Sequence, residues 1–73
     1  MTAKNVESKE REAYELRKKY ANWDFINSQP PRIRDALKYY IRTGDIRETC
    51  MIFRLNIDEF RQIMRKANVP VVD

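Results

Sequence analysis

Seventy-three residues with no histidine, one cysteine, one glycine and a net charge of +4 leave few chemistries open. The composition excludes an ordinary zinc set, a nucleophilic triad, an intramolecular disulfide and a glycine-rich phosphate loop, so the expectation is a non-enzymatic protein without metal or cofactor. The charged first eleven residues hold no apolar signal core and no run approaches the roughly 18 residues of a membrane span, which makes the cytoplasm the default.

A chain this short buries only roughly 60% of its unfolded surface. A modest core in one domain, 1–73, is expected, divided into an N-terminal helix (1–24), a helical core (31–68) and an extended tail (69–73). With 36% charged residues and prolines at positions 30, 31 and 70 only, the composition suits an all-α protein.

In chain order, residues 6–22 predict a first helix rich in Glu, Lys and Arg. Ala13, Leu16, Tyr20 and Trp23 recur along it with a coiled-coil spacing. That stripe packs either on the rest of the monomer or on the same helix of a second copy. Trp23, Phe25 and Ile26 follow in a connecting segment and plug the core from a loop. Pro30-Pro31 sets the start of the next helix, in which Ile33, Ala36, Leu37, Tyr40 and Ile41 share one face, and Thr43-Gly44 ends it with a left-handed cap.

The last third is the most informative. Ile46, Cys50 and Phe53 give residues 45–54 one apolar side, with Thr49 beside it, and Cys50 reads as a small buried hydrophobe. Asn56 then caps a new helix, with Glu59 three residues on as in a capping box, and Phe60, Ile63, Met64 and Ala67 carry its apolar face until Asn68 and Pro70 stop it. Two short apolar helices separated by so brief a turn spell a helix-turn-helix, against the plainer alternative of a helical corner. Arg54 falls where such a turn often carries glycine, at a cost of about 1 kcal/mol. The expected fold is therefore a trihelical helix-turn-helix core with an additional N-terminal helix.

The charge is uneven. Residues 32–44 hold four basic groups and one acidic, while residues 45–73 hold five of each. On the last helix Arg61, Gln62 and Arg65 lie off the apolar face, placed to read base edges, with a solvated helix face as the competing account. Asp58 would repel phosphate unless it accepts from a cytosine amino group. Arg34, Lys38 and Arg42 form an i, i+4, i+8 ridge for phosphate, to which Arg47, Arg54 and Asn56 add, Asn56 by positioning the helix start. The expected partner is double-stranded DNA, bound by a homodimer because one recognition helix reads few base pairs.

Met51, Ile57 and Tyr39 suit a protein partner instead. So do the Ala13, Leu16, Tyr20 stripe and the valine tail with Val71 and Val72, whose β-branched residues favour addition to a sheet edge.

From Ala36 onward, over about half its length, the chain resembles a family of small bacterial and archaeal proteins described as antitoxins. The likeness is carried by Ala36-Leu37-Lys38-Tyr39-Tyr40, Thr43-Gly44-Asp45-Ile46, Leu55-Asn56-Ile57-Asp58-Glu59-Phe60 and Asn68-Val69-Pro70-Val71-Val72. Thr49-Cys50 stands where the family pattern has paired alanines, and Arg54 where it has the turn glycine. The resemblance implies a DNA-binding regulator that also binds a toxin. Small archaeal or viral transcription regulators fit the same residues equally well.

Overall fold

The computed structural model of the chain describes the backbone of residues 2–70 and the side chains of residues 10–70, and every regular element among them is helical. In order these are α1 (Thr2–Tyr20), α2 (Trp23–Asn27), α3 (Pro31–Thr43), α4 (Ile46–Phe53) and α5 (Ile57–Lys66). No described helix is long and apolar enough to cross a membrane. The expected Val71 and Val72 contacts lie outside the described residues.

Local chemistry accounts for the boundaries. Pro31 occupies the first turn of α3, where a missing N–H costs nothing, and Gly44 ends the helix at φ +72° with its N–H donating to the Tyr40 carbonyl. Asp45 caps α4 by accepting from the Glu48 N–H at 2.9 Å, and Asn56 caps α5 by accepting from the Glu59 N–H at 3.1 Å. Between them Arg54 takes φ +54° at the left-handed position the sequence marks as strained.

The core gathers around α3. Ala36, Leu37, Tyr40 and Ile41 are buried on one face of it, and α1, α2 and α4 pack against it, with α5 packed on α4. From α5, Phe60 and Met64 complete the interior, and the Phe60 ring meets Tyr40 edge-on at 6.3 Å. Thr49 is fully buried without penalty, because its hydroxyl donates to the Asp45 carbonyl at 2.7 Å.

Two expectations give way here. Trp23, Phe25 and Ile26 stand in a short helix rather than a loop: Asn22 caps α2 by accepting from the Phe25 N–H, and Ile26 is buried. Five residues are too few to show a helical period, which hides α2 from a periodicity reading.

The stripe on α1 is displaced as well. Leu16 and Tyr20 are 45% and 50% exposed, whereas Arg17 and Ala21 are buried and Tyr14 packs against the core. The inward face runs 14, 17, 21, about 100° round the helix from the one the apolar spacing selects. A stripe drawn through apolar letters passes over an arginine whose stem is hydrocarbon.

Arg17 does more than fill space. Its Nε donates to the Ile41 carbonyl at 2.8 Å, its guanidinium lies 5.8 Å from the centre of the Tyr40 ring, and a side chain at Gly44 would start 3.0 Å from its Nη1. A full positive charge thus sits at the partly negative C-terminal end of α3, where the last carbonyls have no partner inside the helix.

Arg17→Ala is expected to lower the unfolding free energy by about 3 kcal/mol, through a lost charge-assisted bond and an unfilled cavity. Gly44→Ala is expected to lose roughly 1–2 kcal/mol from its positive φ alone. Equilibrium urea denaturation followed by circular dichroism checks both.

Candidate nucleic-acid interface

The outward face of α5 is set by the burial of its inward one. Phe60 and Met64 point into the core, with Ile57 and Ile63 half-buried at its margins. At 100° per residue, Asp58, Arg61, Gln62 and Arg65 then fall in one sector of about 100° on the opposite side. All four are exposed. The expected base-reading trio, Arg61, Gln62 and Arg65, is thereby brought together on one surface, next to an acidic group near the helix start.

The two arginines have different surroundings. Arg61 is near enough to α4 for its charge to act on the Cys50 thiol. Arg65 lines an open cleft of about 380 Å3 with Tyr20, Asn68, Val69 and Pro70, where the end of α5 meets the end of α1.

The ridge on α3 is less uniform than its spacing suggests. Arg34 is half-buried, with its Nε 3.7 Å from Asp35 Oδ1, a partly exposed pair of little energetic weight. Lys38 and Arg42 are exposed and line an open cleft of about 210 Å3 with Asp35, Tyr39 and Phe53. The Arg42 guanidinium stacks 5.4 Å from the Tyr39 ring centre, and Tyr39 meets Phe53 edge-on at 5.9 Å. Desolvation pushes the Tyr39 phenol above its ordinary pKa, and a hydrogen bond with Glu48 adds to the rise. Tyr39 is therefore engaged by its neighbours rather than projecting freely.

Arg47 is exposed in the first turn of α4, and Arg54 is exposed at the α4–α5 turn. The side-chain oxygen of Asn56 is occupied as the cap of α5. Among the residues expected to meet a protein, Met51 is 74% exposed and Ile52 beside it 51%, while Ala13 is half-buried. Ile57, expected to meet a partner, is half-buried against the core.

Sequence reasoning passes over Arg32, the residue that fixes the turn. Its Nε donates to the Phe53 carbonyl at 2.7 Å, and its guanidinium also donates to the Arg54 carbonyl. These carbonyls, at the end of α4, would otherwise be left to water. Charge in the first turn of α3 is the only signal the letters carry, and it says nothing of a partner 21 residues away.

Cys50 is buried, and desolvation holds its thiol above the usual range, against which the Arg61 charge acts. Among the described residues no group of three or more Cys, Asp or Glu side chains is placed to hold a metal ion. Comparisons with protein-family models, with curated proteins and with solved structures find no match.

Two measurements follow from this geometry. Arg54→Gly relieves a positive φ and is expected to raise stability by about 1 kcal/mol, read as a higher urea midpoint. The Cys50 thiol, protonated and covered, is expected to react with a disulfide reagent at neutral pH at least ~100-fold more slowly in the folded protein than in urea.

Proposed function

We propose that this chain is a non-enzymatic, double-stranded DNA-binding protein whose α4 and α5 form a helix-turn-helix braced by α3. The observation that carries the reading is the outward sector of α5. Arg61, Gln62 and Arg65 are presented together on a helix that is capped at its start and follows a turn pinned by Arg32. In this reading Arg61 and Arg65 donate to guanine edges or to phosphate, and Gln62 pairs with an adenine edge. Lys38, Arg42, Arg47 and Arg54 neutralise phosphates, and Arg34 contributes less because Asp35 shares its charge.

Asp58 shapes the mode of docking. Near the start of α5 it disfavours close approach of phosphate there, so it is expected either to accept from a cytosine amino group or to hold the helix start away from the backbone. The role implied is that of a small transcriptional regulator, and the resemblance in the C-terminal half suggests an antitoxin-like one.

One observation favours a second reading. Met51 and Ile52 are adjacent and largely exposed on α4, and an apolar pair of that kind suits docking of a protein, such as a toxin, more than contact with phosphate.

Fluorescence anisotropy with labelled random-sequence duplex, at low and at physiological salt, separates the two. DNA binding is expected to weaken steeply with salt, and Arg61→Ala/Arg65→Ala to lose at least ~10-fold in affinity. Arg47→Ala or Arg54→Gly is expected to reduce the salt slope by about 1 each. Absence of binding at low salt, or a double variant that binds as the parent does, overturns the DNA reading.

A further inference from the structure

Among the described residues the outer face of α1 is only partly covered: Leu16 is open, and Tyr20 borders the cleft it shares with Arg65, Asn68, Val69 and Pro70. α1 runs for 19 residues, about 28 Å at the helical rise. Its inward face is satisfied by α3 through Tyr14, Arg17 and Ala21. On the other side Leu16 and Tyr20, one turn apart, stand about half in solvent. An open groove of about 490 Å3 lies beside Leu16, walled by the stems of Arg11, Glu12 and Glu15. Two of the four large exposed hydrophobic side chains among the described residues are thus stacked on one helix face.

Apart from Arg11, which walls the groove, the charges flanking this stripe run from acidic to basic along the helix. Glu12 and Lys19 lie seven residues apart on the same flank, at equivalent heptad positions, and both are exposed. Glu15 also precedes Leu16's turn or lies within it, while Lys18 accompanies Lys19 beyond it. The Lys19 ammonium is 5.6 Å from the centre of the Tyr20 ring, which keeps it at the edge of the stripe.

A second copy of α1 running antiparallel brings Glu12 of each protomer to Lys19 of the other, with Leu16 packing near Ala13 of its mate. A parallel copy instead brings the lysines of both chains to one end, beside two helix C-termini aligned in the same sense. We infer that the chain forms a two-fold dimer through antiparallel pairing of α1, seated on Leu16 and Tyr20 and held in register by reciprocal Glu12–Lys19 pairs.

The patch is small, so the dimer is a weak one that forms with rising concentration. Its argument does not depend on the DNA reading, although Tyr20 borders the cleft that Arg65 of α5 also lines. Where both hold, the two-fold relates two α5 surfaces and suits an inverted-repeat site.

Sedimentation velocity of the full chain without nucleic acid, over the micromolar range, tests the pairing, with circular dichroism confirming that each variant is folded. The parent is expected to shift from monomer to dimer, and Leu16→Glu to remain monomeric. Glu12→Lys alone and Lys19→Glu alone are each expected to raise the dimer Kd about tenfold or more, because two attractive pairs become two repulsive ones. Mixing these two single variants restores association, since every cross-pair in the mixed dimer is again opposite in sign. A parent that stays monomeric overturns the proposal. So does a Leu16→Glu chain that still dimerises, or a mixture that associates no better than its components.

Discussion

The ends of helices govern this structure. An α-helix leaves its last carbonyls without partners, and in a domain with so little interior those groups must be met by something. Here three of the four donors come from distant parts of the chain. Arg17 of α1 meets the end of α3, and Arg32 of α3 meets the end of α4. Trp23 Nε1 donates to the Lys18 carbonyl at the end of α1, and the Asn22 N–H donates to the Ala67 carbonyl at the end of α5 at 2.7 Å. Each contact satisfies a polar group and also fixes where one helix lies on another. Of these, Arg17 matters most, because α3 is the element on which α1, α2 and α4 all rest.

This explains which parts of the fold are readable from the letters. The starts and stops of α3, α4 and α5 depend on local chemistry: Pro31, Gly44, Asp45, Arg54 and Asn56 act on neighbours within four residues, and Pro31, Gly44 and Asn56 act where the sequence predicts them, while Asp45 caps α4 instead of opening it. The faces of α3 and α5 follow from apolar periodicity and are recovered too. α2 is missed because a single turn has no period. The inward face of α1 is misassigned because its central residue is charged. Arg17 and Arg32 make their defining bonds across 24 and 21 residues, and no local pattern marks an arginine as a cap rather than a surface charge.

The candidate interface divides the same way. That Arg61, Gln62 and Arg65 share an exposed face is a consequence of helical geometry and was legible. What surrounds them was not: Arg65 beside Tyr20 and Asn68 follows from how the end of α5 meets the end of α1, and the Arg61 charge acting on Cys50 from how α5 packs on α4. The basic ridge on α3 shows the limit of counting charges. Arg34 shares its charge with Asp35 and Arg42 lies over Tyr39, so three residues of equal formal charge offer unequal fields to a partner.

The junction near residues 20–22 and 67–69 has a consequence for how the chain acquires its shape. Asn68, in a left-handed conformation, turns back so that its side-chain amide donates to the Tyr20 carbonyl 48 residues earlier, next to the Asn22–Ala67 bond. The segment from α2 to α5 is the loop that these bonds close, with α1 standing outside it. A chain that reaches only as far as α3 holds Tyr20 and Asn22 but neither Ala67 nor Asn68, and it also lacks the Phe60 and Met64 side chains that complete the core. The clasp needs residues 67 and 68, which follow the last residue of α5, so it is available only to a chain that already carries every helix of the domain.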